Sequence, residues 1–152
     1  MRDSERRRLL VLEVGGHRAG VPLANVREIM RPLPLAPLAG APRFVLGLSV
    51  IRGASVPVVD LGALLADGAR AEGFGRFATL DVEGRAVALA VARVLGVAEL
   101  EPDALSGMPP LLSHAAGEAV EALGLHDAGL LLVLRAARLV PETAALAVEA
   151  PS

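Results

Sequence analysis

Short apolar runs, broken at intervals by glycine, set the pattern of this chain. The runs "LLVLEV" and "RFATLDV" end at the turn signals Gly15–Gly16 and Glu83–Gly84, and each is followed by a second apolar run. Strand-forming residues on both sides of a two-residue turn are typical of a β-hairpin. Several short strands in close succession favour a small barrel or a sandwich, so we predict a mostly β fold.

The second feature is an internal repeat. Residues 12–29 align with residues 80–97 without a gap, and residues 56–65 lie over residues 131–140. The parts match in apolar class and glycine position and occur in the same order, which indicates two copies of a module of about 60 residues. The predicted boundaries are a flexible tail at 1–8, a single domain at 9–147 with a first unit at 12–65, a linker at 66–75, a second unit at 76–140 and a closing helical segment, and a tail at 148–152.

Helical periodicity follows the last strand of each copy. After "VPVVDL", the apolar residues Leu61, Leu64 and Leu65 share one helical face, and Leu139, Val140 and Leu146 do so in the second copy. A spacing of three to four residues is that of a helix rather than a strand. We therefore predict a short helical segment at the end of each copy.

Composition limits the classes of partner. The chain has 152 residues, and 53% of them are hydrophobic, which excludes a disordered chain. A net charge of −2 and only three aromatic residues, all phenylalanine, predict no nucleic-acid partner. Cysteine is absent, so disulfides and thiolate metal sites are excluded. No charge-free apolar segment reaches the length of about 18 residues that spans a membrane. We expect a cytoplasmic protein without membrane insertion.

The sequence contains no recognisable catalytic or metal-binding motif. The histidines His17, His114 and His126 are not spaced like metal ligands. Neither "GLSVI" nor "GASVP" completes a nucleophile elbow, and a phosphate-binding loop that ends in lysine cannot occur because the chain has no lysine. We therefore predict an interaction protein that is not an enzyme and has neither a metal nor a cofactor.

The segment "RPLPLAPLAGAP", residues 31–42, contains four prolines. Such a segment is extended and semi-rigid. A fixed connector between strands is one interpretation. A proline-rich ligand for a partner protein is the other.

Two stretches give the chain a family resemblance. "GLSVIRGASVPVVDL" (47–61) is similar to the Gly-x-x-x-x-Arg-Gly-x-x-x-Pro-x-x-Asp-Leu signature of the CheW-like coupling proteins of bacterial chemotaxis, and "NVREI" (25–29) resembles their Val-x-Glu-Ile. The resemblance runs from about Leu9 to Val140. It implies two SH3-like five-stranded β barrels packed together. It also implies a non-enzymatic adaptor, recruited to receptor arrays, that joins the cytoplasmic tip of a chemoreceptor to the regulatory domain of a CheA-type histidine kinase.

The resemblance divides the site residues into two groups. The expected partner contacts are Val26, Glu28, Ile29 and Gly47. The residues expected to shape a turn or hold an ion pair are Arg52, Gly53, Pro57 and Asp60.

Individual roles are expected for several of these residues. Arg52 should hold a structural ion pair or cap backbone carbonyls between the two barrels. Asp60 should cap the N terminus of the following helical turn, and Pro57 should lie at a sheet edge or strand start, where no ladder donor is lost. Val26 and Ile29 either belong to the core or line a partner groove, whereas Glu28 should be exposed to a partner.

Three residues of the second copy depart from the family pattern. Ala92 stands where the family often has an aspartate, Gly96 where an acidic residue is frequent, and Arg135 where the closing strand often ends in an acid or asparagine. Whether the second copy keeps its usual partner is therefore open. The alternative function is a small-molecule-sensing β barrel without catalytic activity, which an internal pocket with convergent polar groups would favour.

Overall fold

The computed structural model describes residues 6–65, 73–101, 104–105, 118–127 and 129–141, and in these residues the chain forms ten strands and a short α-helix. In chain order the elements are β1 (Arg7–Val14), β2 (His17–Pro22), β3 (Val26–Met30), β4 (Val45–Ile51), β5 (Ala54–Asp60), α1 (Leu61–Leu65), β6 (Arg76–Val82), β7 (Arg85–Val91), β8 (Arg93–Leu100), β9 (Val120–His126) and β10 (Gly129–Leu134). The predicted mostly β fold with short helical segments is confirmed.

The strands form two five-stranded sheets of matching topology. Sheet A has the order β8-β1-β2-β10-β9, and sheet B has the order β3-β6-β7-β5-β4. Each strand of sheet A has its counterpart five strands away in sheet B, which is the spacing that the sequence repeat predicts. In both sheets one pair is parallel, β2 with β10 and β5 with β7.

The two repeats exchange strands, so the predicted contiguous units at 12–65 and 76–140 are wrong. A 3₁₀ turn at Leu23–Asn25 carries the chain from β2 of sheet A to β3 of sheet B. On the far side of β1, the partner strand is β8 from the second repeat, with Leu10 opposite Val97. Pairing between the halves gives hydrogen-bond partners to backbone N–H and C=O groups that each half alone would leave unpaired at a sheet edge.

Three apolar cores result from this arrangement. In β1, Leu9 and Val11 belong to a core within sheet A, whereas Leu10 and Leu12 belong to a central core between the sheets. Sheet B has its own core, which includes Phe77. Strands buried on both faces consist of continuous apolar runs rather than alternating apolar and polar residues, as "LLVL" does in β1.

Three hairpins share one kind of turn. Gly15–Gly16, Arg52–Gly53 and Glu83–Gly84 all have positive φ at both central residues, with 54° and 80° at Arg52 and Gly53. This is the geometry of a type I′ turn, whose twist matches that of the flanking strands. The predicted turns at 15–16, 52–53 and 83–84 are therefore confirmed.

Some of the predicted boundaries at the chain termini and connecting segments differ from those in the structure. Arg7 and Arg8 lie in β1 opposite Leu100 and Glu99, so the tail predicted at 1–8 is wrong at these two residues, because their backbone pairs with β8. After β10, a 3₁₀ turn at Ala136–Arg138 is the helical segment of the second copy. The linker residues 66–72, the closing segment at 142–147 and the tail at 148–152 lie outside the described residues.

Candidate functional site

The residues expected to contact partners begin at one edge of sheet B. Within the sheet, β3 pairs with β6 alone. Val26 is partly buried and packs against the central core, whereas the side chain of Ile29 is 44% exposed. Of the two positions that the sequence left open, Val26 belongs to the core margin and Ile29 lies on the surface.

A bidentate ion pair joins β3 to the turn between β4 and β5. Arg52 donates from Nε to Oε2 of Glu28 at 2.9 Å and from Nη2 to Oε1 at 2.8 Å. Since β3 and β4 are the two edge strands of sheet B, this pair links opposite edges of one curled sheet. Arg52 thus forms an ion pair, but its partner lies in the same sheet and not between the two units as expected.

The pair sets the charge state of both side chains. Hydrogen bonds from Arg52, together with its positive charge, lower the pKa of Glu28, against the opposing effect of desolvation. Hydrogen bonding and attraction to Glu28 likewise raise the pKa of Arg52. Glu28 is expected to be exposed to a partner, but its side chain is only 29% exposed and its carboxylate is engaged by Arg52. Arg52, at 77% exposure, is the outward member of the pair.

A cleft of about 470 Å³ lies beside the Glu28–Arg52 pair. A second ion pair, Arg27 with Asp81 at 3.0 Å, borders it. The remaining lining residues are small or apolar, apart from Thr79: Ile51, Ala54, Val56, Leu80 and Ala86. The four charged side chains of the cleft thus neutralise one another in two pairs.

Gly47 has a structural role in β4. It is buried, its φ is 147°, and a Cβ at this position would collide with the carbonyl oxygen of Ala36. Ala36 and Leu48 form a β-bridge, with both N–H to O distances at 2.8–2.9 Å. Glycine is therefore needed for the close approach of the proline-rich connector to β4.

Strand β5 contains a proline in its middle and an aspartate at its end. Pro57 lies mid-strand opposite Leu48, so its predicted place at a sheet edge or strand start is wrong. The pairing of β5 with β7 begins only at Val58, one residue after the proline. Asp60 is fully buried, and its Oδ1 accepts the backbone N–H of Ala63 at 3.0 Å, which confirms the predicted N-cap of α1.

Sheet A lacks the equivalent ion pair. The repeat places Gly96 of β8 at the position of Glu28, and Asp127 at the position of Arg52. The turn after β9 is held instead by Arg18 of β2, whose Nη1 donates to the carbonyl oxygen of His126 at 2.7 Å. Among the other departures, Ala92 donates its N–H to the carbonyl of Glu13, and Arg135 is exposed.

Sheet A also exposes large apolar side chains. Leu125 of β9 and Leu130 of β10 face each other across the hairpin and are 67% and 56% exposed, and Val97 of β8 is 56% exposed. Sequence reasoning missed this surface. In sheet B, Val50 occupies the equivalent hairpin position opposite Ser55, and it is also exposed, at 70%.

Metal-ligand clusters and membrane-spanning helices are both absent from the described residues. No cluster of three or more potential ligands that could hold a metal ion occurs among them. His17 is exposed beside its turn, and His114 lies outside the described residues. No helix in the described part of the chain is long and apolar enough to cross a membrane.

Comparisons with known proteins agree with this architecture. A family model described as "CheW-like domain" matches residues 8–144. The protein FrzA of Myxococcus xanthus is 39% identical over 120 residues, which cover 76% of this chain and 74% of FrzA. The chemotaxis protein CheW of Rhizobium meliloti (strain 1021) is 41% identical over 59 residues, 39% of this chain and 38% of that protein. The crystal structure of the scaffolding protein TtCheW from Thermoanaerobacter tengcongensis superposes with a TM-score of 0.73 at 20% identity, covering 85% of this chain and 88% of that one.

Proposed function

This chain belongs to the CheW-like domain family, and we propose that it is a non-enzymatic adaptor that couples chemoreceptors to a CheA-type histidine kinase. The observation that carries the proposal is the family match over residues 8–144, which includes both sheets. A chemotaxis protein and a scaffolding protein among the similar proteins support it.

Two separate surfaces are what an adaptor requires, because it must hold two partners at once. The edge of sheet B presents Ile29 beside the Glu28–Arg52 pair. Sheet A presents the apolar pair Leu125 and Leu130. We assign one partner to each surface, since charged and apolar surfaces recognise different chemistry.

The structure does not favour the small-molecule-sensing alternative. The cleft beside β3 has the volume of a ligand site. However, Arg27, Glu28, Arg52 and Asp81 are already engaged with one another in two pairs. A ligand would have to displace these pairs, so the adaptor function is preferred.

Binding titrations test the proposal. The full chain is titrated by calorimetry with the regulatory domain of a CheA-type kinase and with a receptor cytoplasmic fragment, both from the same genome. We expect each to bind with a Kd of about 10 μM or tighter, and both to bind together. Absence of binding to either partner at about 100 μM contradicts the adaptor role.

A matched pair of variants tests the sheet B surface. Arg52→Asn keeps a residue that tolerates positive φ but removes the ion pair. It should weaken one partner about tenfold or more and leave the other unchanged. The control is Arg93→Asn, which removes another exposed arginine–glutamate pair, with Glu13 on sheet A. If both variants bind the two partners as the parent does, the Glu28–Arg52 pair is not part of a partner surface.

A further inference from the structure

The connector between β3 and β4 exposes residues at a spacing of three. Arg31, Pro34 and Pro37 are all exposed. A polyproline II helix has three residues per turn, so residues at this spacing lie along one edge of it. A second exposed edge carries Pro32 and Leu35.

The chemistry of the segment imposes the extended conformation. Proline fixes its own φ near −65°, and it confines the preceding residue to the β and polyproline II region. Prolines 32, 34 and 37 therefore restrict residues 31, 33 and 36 as well. Six of the seven residues between 31 and 37 are constrained in this way, which leaves little conformational entropy to lose on binding.

One side chain and several backbone groups attach the connector to the body of the protein. Leu33 packs against the core of sheet B. Ala36 forms two backbone hydrogen bonds with Leu48, at 2.8 and 2.9 Å. The buried Ser49 donates its hydroxyl to the carbonyl oxygen of Pro34 at 2.8 Å. These contacts hold the connector through Leu33 and through the backbone of Pro34 and Ala36. The side chains of Arg31, Pro32, Pro34, Leu35 and Pro37 remain exposed.

We propose that residues 31–37 are a binding site for a partner protein that recognises a polyproline II helix in an aromatic-lined groove. Two proline rings at a spacing of three fit between aromatic side chains of such grooves. Arg31 forms no ion pair with any residue that the structure describes, so its guanidinium is available to an acidic residue beside the groove.

A different protein, not a second copy of this chain, is the occupant. An aromatic-lined groove needs several aromatic side chains, preferably with a hydrogen-bonding group, as in tyrosine and tryptophan. This chain has three phenylalanines, no tyrosine and no tryptophan. The proposal is also independent of the adaptor function, because neither assigned surface includes the connector.

The test uses an SH3 domain with an aromatic groove and an acidic specificity pocket as the probe. It is titrated into the isotope-labelled full chain and followed by NMR. We expect saturable shifts at residues 31–38 with a Kd of about 10–300 μM. Pro34→Ala/Pro37→Ala and Arg31→Glu should each weaken binding about tenfold or more. The controls Pro42→Ala and Arg43→Glu, exposed positions farther along the same connector, should bind as the parent does.

A further variant tests the role of the fixed conformation. Ser49→Ala removes the hydrogen bond to Pro34 without changing any exposed connector residue, and should weaken the probe about two- to fivefold. Because Arg31 is exposed, Arg31→Glu keeps the test decisive even if the double proline variant fails to fold. The proposal is overturned if the parent shows no shifts at a probe concentration of about 1 mM. It is also overturned if Arg31→Glu and the control Arg43→Glu bind equally.

Discussion

Arg52 occupies a backbone conformation that few residues other than glycine adopt readily. Its φ of 54° is the first of two positive values in a type I′ turn, where asparagine, aspartate and glycine are preferred. An arginine at this position is less favourable for the turn itself. Its side chain, however, is long enough to reach Glu28 on the opposite edge of the sheet. The choice of residue is thus explained by the ion pair rather than by the turn.

Acid should weaken the fold through two carboxylates that arginine hydrogen-bonds. Arg52 lowers the pKa of Glu28, and Arg7 lowers that of Glu121. A carboxylate with a lowered folded-state pKa contributes stability above its unfolded pKa, and this contribution is lost as the pH falls through the folded value. We expect the urea concentration at the midpoint of unfolding to decrease when the pH is lowered below about 4.

A double variant checks which groups cause this acid dependence. Glu28→Gln/Glu121→Gln should flatten the fall of the urea midpoint between about pH 5 and pH 2. Glu83→Gln is the control, because this glutamate of the β6–β7 turn is exposed. An unchanged pH profile in the double variant would show that other carboxylates dominate.

At the scale of elements, the connector and β4 act as one unit. The bridge between Ala36 and Leu48 and the hydrogen bond from Ser49 to Pro34 hold the connector on β4. The bridge requires glycine at position 47, because a Cβ there would collide with the carbonyl oxygen of Ala36. Gly47 is expected to contact a partner, whereas in the structure it lies against Ala36 and Pro37 of the connector.

Two glycines of this region should respond very differently to alanine. At Gly47, a Cβ meets backbone atoms and φ is 147°, so Gly47→Ala should lower the free energy of unfolding by about 3 kcal/mol. At Gly53, φ is 80° but no atom lies within 4 Å of a Cβ, so Gly53→Ala should cost only about 1 kcal/mol. Urea unfolding of both variants measures the difference. Equal decreases in the free energy of unfolding would mean that the connector moves to accommodate the new side chain at position 47.

At the scale of the whole molecule, strand exchange makes the two repeats interdependent. Sheet A takes β1 and β2 from the first half and three strands from the second, and sheet B has the reverse distribution. Neither half therefore contains a complete sheet. The central core also needs both, since it packs Leu12 and Val21 of sheet A with Leu80 and Leu89 of sheet B.

Separated halves should not fold alone. We expect residues 1–68 and residues 69–152, each expressed by itself, to show no cooperative thermal transition, because each would expose open sheet edges and half of the central core. An equimolar mixture should regain a cooperative transition if the fragments find each other. A cooperative melt of residues 1–68 alone, near the melting temperature of the full chain, would contradict this expectation.

Local features of the sequence determined the elements of this protein. Hairpins at Gly15–Gly16 and Glu83–Gly84, and helix α1 after its cap Asp60, follow from turn geometry, strand propensity and capping, which act over a few residues. The repeat also indicated that the halves share one plan. Only the tertiary structure decided that β1 pairs with β8 and that Glu28 meets Arg52. These partners lie far apart in sequence, and many of the apolar strands could have paired with one another. Which strands pair depends on burying both faces of strands such as β1 at the same time. No local sequence pattern encodes that requirement.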